Sequence, residues 1–271
     1  MGNSDIGLES STGKALLFDM DGTLTHAREE ISKETVAMIN DLCNAGHIVC
    51  VVSGSPYEYI EEQLSLKTNL YSENLHLMPC NGTQLLSKNL KTGKYEKKYS
   101  VTMREHLAEN SRLKDPHAEL VQNILELQLY AMRRFNFPVT GNFLSDRGSM
   151  VNWAMIGRDA SHRDRAQFAE EDKKTKLRKH LCDCLRVRLD DSDLRTTDLA
   201  LGGTTSIDIF PRGWDKTYAL RHLAFGTEVW FWGDKCSPGG NDYTVAQRAV
   251  EHHHVKDWQH TRQILQERYE K

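Results

Sequence analysis

Asp19 and Asp21 stand two residues apart in Asp19-Met20-Asp21-Gly22-Thr23, and Asp234 stands far down the chain in Gly233-Asp234-Lys235. Gathered in one pocket, these three carboxyl groups would repel one another and need a cation to stay ionised at neutral pH. Ligands that are all oxygen select Mg²⁺, which keeps waters and takes one or two carboxylates together with a substrate phosphate. A neutralised Asp19 could then approach an anionic phosphorus as a nucleophile. Asp21 could protonate the leaving oxygen and deprotonate the incoming one. Phosphoryl transfer otherwise asks for positioning and positive charge, so donors to phosphate oxygens are expected nearby. Ser53 and Ser55, with Gly54 between them, are candidates for that role, and Lys216 can supply the fixed charge.

An isolated Asp-x-Asp is commonly a solvated turn or a cap. Here Ala15-Leu16-Leu17-Phe18 precedes it, a short apolar run that reads as a buried strand delivering a charged loop at its carboxyl end. Open α/β sheets place their chemistry at such ends. Ser32 is a helix N-cap candidate, followed by apolar Val36, Ile39 and Leu42 and closed by Gly46. A second buried strand then runs from His47 to Val52 and breaks at Ser53-Gly54-Ser55-Pro56. Strand, helix and strand make a βαβ unit with a right-handed crossover. Glu228 to Trp232 repeats the design of the first strand and again ends in an aspartate. Between them, strand-like pieces, a long helix from about Pro116 to Arg134 and a charged helical segment from Arg163 to Leu185 predict an inserted second domain.

With 271 residues, two domains are expected, and 35 basic against 38 acidic side chains leave a net charge of −3. That balance points to neither a nucleic-acid nor a membrane partner. No run approaches the roughly 20 apolar residues that span a bilayer. Six cysteines without a framework spacing fit reduced thiols and a cytoplasmic location. Cys182-Asp183-Cys184 with His180 lacks the second ligand pair of a zinc site and reads as a helical face. Gly13-Lys14 lacks the upstream glycine of a nucleotide-binding loop, and His252-His253-His254 is assigned no role.

Asp19-Met20-Asp21-Gly22-Thr23, the strand-end serine, the later lysine and Gly233-Asp234-Lys235 followed by Gly239-Gly240-Asn241-Asp242 resemble the four motifs of the haloacid-dehalogenase (HAD) superfamily. That resemblance implies a phosphorylated Asp19 and an acid/base Asp21 whose backbone carbonyl also meets Mg²⁺. It implies a metal site completed by Asp234 and supported by Asn241 and Asp242. Asp19 to Thr25 with Arg28, Ile156-Gly157-Arg158, Ser206-Ile207-Asp208, Gly213-Trp214-Asp215-Lys216 and Pro238 to Asp242 further resemble the eukaryotic-type phosphomannomutases. The narrower resemblance assigns Arg147, Arg158 and Arg165 to the substrate's distal phosphate, Ser206 and Asp208 to the sugar, and Arg28 to the core side. Guanidinium forks suit phosphate oxygens in a way lysine does not copy.

The expected fold is therefore α/β. A HAD-like, Rossmannoid, doubly wound core spans residues 1–88 and 213–271, and an inserted, type IIB-like α+β cap spans 89–212. The resemblance implies interconversion of mannose 6-phosphate and mannose 1-phosphate, with glucose phosphates as further substrates, through an aspartyl-phosphate and a hexose 1,6-bisphosphate activator. It also implies a homodimer formed through the cap. Two departures stand against it. Tyr243 to Arg248 replaces the acidic, Pro- and Arg-containing loop of the family's second metal site, so no second metal is expected. Ser53-Gly54-Ser55 is nearer to the sugar-phosphatase pattern than to the family's Gly-Gly-Ser, which keeps a Mg²⁺-dependent sugar-phosphate phosphatase open as the alternative. A non-catalytic sugar-phosphate sensor is the rival from another class.

Overall fold

The computed structural model describes residues 6–26, 29–65 and 72–269. It divides into two compact units, Met1–Ser100 with Trp214–Lys271, and Val101–Gly213. In the first unit, β1 (Lys14–Phe18), β2 (Ile48–Val52) and β3 (Leu75–Met78) alternate with α1 (Lys33–Asn44) and α2 (Tyr57–Ser65). β4 (Gln84–Asn89) and β5 (Lys94–Ser100) follow as a hairpin. Of the elements in the second unit, α3 (Met103–Asn110), α4 (Pro116–Arg134), β6 (Leu144–Asp146) and β7 (Val151–Ala154) come first. Then come α5 (His162–Thr175), α6 (Leu177–Asp190), β8 (Thr197–Gly202) and β9 (Ser206–Pro211). Back in the first unit are β10 (Glu228–Gly233), α7 (Tyr243–Ala246), β11 (Glu251–His254) and α8 (Trp258–Tyr269).

The first unit's sheet runs β11-β10-β1-β2-β3-β4-β5. Its first five strands are parallel, and β4 and β5 join antiparallel. Parallel strands are covered on both faces and so read as continuous apolar runs, and Ala15 to Phe18 and Ile48 to Val52 are fully buried. Leu16, Phe18, Val49 and Val51 pack with Val36, Ile39 and Leu42 of α1, Ile60 of α2 and Leu265 of α8. Ala15, Leu17, Cys50 and Val52 point the other way, to Ala219 in a 3₁₀ segment and to Val245 and Ala246 of α7. Each large side chain buried this way contributes about 1.5–3 kcal/mol. Ser32 caps α1 by accepting from the Thr35 amide at 3.2 Å.

One expectation is corrected. The inserted domain is expected from residue 89, but β5 pairs with β4 from Lys94 to Ser100, and that ladder keeps the hairpin in the first unit. The charged helical segment from Arg163 to Leu185 is divided between α5 and α6. Lys176 adopts the left-handed conformation (φ +55°), and the Asp172 carboxylate accepts from both the backbone N and Nε of Arg178 at 2.8 Å, at the start of α6.

In the second unit, the antiparallel sheet runs β6-β7-β9-β8. Val151, Trp153, Ile207 and Ile209 alternate onto one buried face, where Trp153 Nε1 donates to Gln128 Oε1 of α4 at 2.6 Å. The opposite face carries Asn152, Ser206 and Asp208. No helix among the described residues is long and apolar enough to cross a membrane, and all six cysteines are free.

Candidate active site

β1 and β10 are neighbours in register, with Phe18 opposite Trp232, so the aspartates that follow each strand emerge side by side. The Asp19 amide extends the ladder by donating to Trp232 O at 2.9 Å. Gly22 lets the two loops meet. Its φ is +85°, and a Cβ there would stand 2.8 Å from Asp234 Oδ2. Carboxylate oxygens of Asp19, Asp234 and Asp242 lie within 4.8 Å of one another.

Asp242 is fully buried and does not use its side chain to cap α7. Its Oδ2 accepts from the Lys235 amide at 3.0 Å, and its Oδ1 accepts from Lys216 Nζ. Lys216 is 1 % exposed, and its ammonium also donates to Asp19 Oδ1. Burial pushes the Asp19 carboxyl up to about 6, against the pull of Lys216 and with the repulsion of Asp242 and Asp234. For Lys216, burial opposes the charged form, but the two carboxylates outweigh it and raise its pKa.

The donor set fits a hard divalent cation. It is all oxygen, it carries more negative than positive charge, and Asp234 Oδ1 is buried with no hydrogen-bond partner.

Asp21 lies outside this cluster of side chains. It forms a backbone bridge with Thr25, and its Oδ1 accepts from the Tyr59 hydroxyl at 2.9 Å and from the Gln63 amide at 3.5 Å. Gln63 Oε1 is in turn held by the Thr25 hydroxyl at 2.9 Å. These contacts fix the direction of Oδ1.

Ser53 follows β2, and its Oγ accepts from the Ser55 amide at 3.1 Å. The carbonyls of Ser53 and Ser55 accept from the amides of Asn81 and Cys80 at 2.8 and 2.9 Å. Asn81, itself at φ +62°, donates from Nδ2 to Trp214 O at 3.2 Å, two residues before Lys216. The serine loop and the lysine segment are thus tied through one side chain. Asn241 is exposed. Arg28 lies outside the described residues.

The second unit groups the other candidates on and around its polar sheet face. Arg147 is half-buried in the β6–β7 turn, with its amide bonded to Met150 O at 2.9 Å. Arg158 is exposed and donates from Nη1 to Asn152 Oδ1 at 3.0 Å. Asn152 Nδ2 donates to Asp208 Oδ1 at 2.6 Å. Arg165 spends three donors on Ala160 O, Thr205 Oγ1 and Arg158 O. The Ser206 hydroxyl donates to Gly202 O at 2.8 Å. Reading the sequence alone missed Tyr59, Gln63, Asn81 and Asn152. Asn81-Gly82 is a turn signal that could have drawn attention to the first-unit loop, but the other three carry no local mark.

A parallel sheet whose neighbouring strands end in Asp19 and Asp234, with a buried lysine against the first and an antiparallel α+β unit inserted in the chain, defines a HAD-like fold. Solved structures agree on that fold. The N-terminally truncated IMP-nucleotidase of Plasmodium falciparum is similar at a TM-score of 0.62 and 14% identity, over 93% of this chain and 69% of that one. A haloacid dehalogenase-like hydrolase from Bacteroides thetaiotaomicron is similar at 0.55 and 14% identity, over 94% and 98% of the two chains.

Sequence similarity narrows the class further. The model of the family described as "Eukaryotic phosphomannomutase" matches residues 36–271. Human phosphomannomutase 1 is 35% identical over 239 residues, covering 84% of this chain and 81% of that protein. The Drosophila melanogaster phosphomannomutase is 33% identical over 234 residues, 85% of each chain, and that of Spinacia oleracea 34% over 244 residues, 87% and 88%. This chain belongs to the eukaryotic phosphomannomutase family. The family match begins after Asp19-Met20-Asp21, so the place of that loop rests on the geometry above.

Proposed function

We propose that the protein interconverts mannose 6-phosphate and mannose 1-phosphate, with the glucose pair as further substrates, by way of a phosphoryl group carried on Asp19. The observation that carries this reading is the arrangement of Asp19 and Asp242 about the buried Lys216 ammonium at the ends of parallel strands, in a chain of this family. Asp19, Asp234 and Asp242 would hold Mg²⁺, with the Asp21 carbonyl and Asn241 as its further supports. When bound, the cation supplies the positive charge that lets an anionic nucleophile meet an anionic phosphate.

In the forward half-reaction, an Asp19 oxygen forms a bond to a phosphorus of hexose 1,6-bisphosphate as the sugar O–P bond breaks. Asp21 gives its proton to the departing sugar oxygen. In the return half, Asp21 takes the proton of a hexose monophosphate hydroxyl, whose oxygen bonds to phosphorus as the Asp19 O–P bond breaks. Lys216 keeps Asp19 oriented throughout, and Ser53 and Ser55 offer hydroxyls to the transferring phosphoryl group. The second unit acts as the substrate-binding domain, in which Arg147, Arg158 and Arg165 meet the distal phosphate and Ser206 and Asp208 the sugar hydroxyls, with Arg28 as the first unit's contribution. Leu125 and Leu129, one turn apart and exposed on α4, with Val187 exposed on α6, suit a second copy of the chain, which sedimentation would register as a dimer. Free thiols suit a reducing compartment, the cytoplasm.

The test incubates purified protein with mannose 1-phosphate, Mg²⁺ and catalytic glucose 1,6-bisphosphate under phosphorus NMR. Bisphosphate-dependent appearance of mannose 6-phosphate, lost on chelation, is the expected result. Free phosphate without the isomer would make it a phosphatase. Binding without any reaction would make it a sensor.

A further inference from the structure

Arg158 and Asp208 carry opposite charges on one sheet face, yet they do not pair with each other. Asn152 stands between them. It is 3 % exposed, its Oδ1 accepts from Arg158 Nη1 at 3.0 Å, and its Nδ2 donates to Asp208 Oδ1 at 2.6 Å. The opposite amide orientation would set a donor against a guanidinium and an acceptor against a carboxylate, so only this one is electrostatically consistent.

The backbone builds the arrangement. Asn152 faces Asp208 directly in the β7–β9 register. Gly157, at φ +92° with Gly141 O only 2.0 Å from where a Cβ would sit, turns the chain so that Arg158 reaches back to the same face. The Arg158 amide donates to Asn142 O at 3.2 Å and its carbonyl accepts from Arg165 at 2.5 Å. We infer that Asn152 is a positioning residue for sugar-phosphate binding, a neutral spacer that orients Arg158 toward phosphate oxygens and Asp208 toward sugar hydroxyls while keeping the two charges from collapsing into an ion pair. The inference rests on the reading of this unit as the hexose-phosphate binder.

Only a side chain with both a donor and an acceptor meets both partners. Aspartate at this position would satisfy Arg158 and repel Asp208, and leucine would fill the space and orient neither. Both partners keep capacity for a ligand. Arg158 spends one of its five N–H donors on Asn152, and Asp208 keeps Oδ2.

The experiment measures mannose 1-phosphate binding by calorimetry on the full chain carrying Asp19→Asn, which blocks turnover. Asn152→Leu is expected to weaken binding about tenfold, and this loss should shrink below about threefold when Arg158→Ala is already present, because the two then act through one interaction. The same-sized Asn152→Asp should also weaken binding about tenfold, less so beside Asp208→Ala, which keeps the test decisive if the leucine variant does not fold. An undiminished loss on both backgrounds would mean a purely structural role and overturn the inference, as would unchanged affinity. If the parent binds but the protein with Asp19 intact turns nothing over, the catalytic reading fails and this one stands. If the parent binds no hexose phosphate, both fall.

Discussion

In the first unit, the charges that matter are buried and hold one another. Lys216 is 1 % exposed between Asp19 and Asp242, and Asp234 keeps a buried oxygen without a partner. The second unit does the opposite. Arg158 is exposed and Arg165 is half-buried, and neutral groups set their directions, Asn152 Oδ1 for Arg158 and the Arg158 carbonyl for Arg165. Charge buried at close range is coupled to folding, whereas charge at a solvated face is free to wait for a ligand. The contrast teaches where each side chain's effect should appear. Changes at the first unit's buried site residues should move kcat and stability together, and changes at the second unit's exposed candidate binding residues should move KM with little effect on stability.

The largest expected effect tests the first half of that statement. Asp19→Asn should lower kcat by on the order of 10⁴-fold or more, as loss of a nucleophile does. Turnover near the native rate in a correctly folded variant would remove Asp19 from the mechanism. Lys216→Met leaves two buried carboxylates without their cation, and in metal-free buffer it should cost about 3–5 kcal/mol in urea unfolding. A loss under about 1 kcal/mol would show that the buried triad does not support the fold as argued.

A pH series sharpens the comparison. The folded-state pKa of Asp19 is raised from 3.8 to about 6, so the folded chain holds this proton longer than the unfolded chain. The stability that Asp19 contributes is therefore full below about pH 4 and declines as pH climbs through about 6. Without metal, the wild-type minus Asp19→Asn difference should follow that fall, and Mg²⁺ should restore stability most above pH 6. A flat difference would contradict the buried, unneutralised cluster.

The loop tie gives a smaller effect. Asn81→Ala removes the bond to Trp214 O and puts alanine in the left-handed region, for a loss of about 1–3 kcal/mol in urea unfolding. The smallest belongs to the second unit. Arg158→Ala should change stability by less than about 0.5 kcal/mol while raising KM for the sugar phosphate about tenfold or more. A large stability loss there would erase the contrast between the two units.

What could be read from the residues follows the same division. Asp19, Asp234 and Ser53 end apolar strands, and a strand end in an open α/β sheet announces itself in a few consecutive residues. Lys216 has a comparable local mark in the turn before it. Tyr59, Gln63 and Asn152 do not, because their partners lie 38, 42 and 56 residues away and arise only from how helix and sheet pack. The break at Lys176 was hidden by continuous charge on both sides, since the cause is a carboxylate reaching six residues forward to Arg178. β5 was legible as a strand, but its alternating Lys-Tyr-Glu-Lys-Lys-Tyr pattern does not say which sheet accepts it. An edge strand bonds on one side only, and charge on it serves mainly to discourage further partners.

Gly22 and Gly157 each combine a left-handed φ with a Cβ position already filled, by Asp234 at 2.8 Å and by Gly141 O at 2.0 Å. Asparagine, which occupies the left-handed region at positions 81 and 142, is therefore excluded from 157 by backbone, and at 22 it would displace the Asp234 carboxylate. A saturation library at either position should return glycine alone among functional clones. Suppressors of a substitution at 22 should map to the loop that carries Asp234, and suppressors at 157 to the Thr140–Gly141 turn. The two positions thus offer a genetic readout of which backbone segments touch, independent of any kinetic assay.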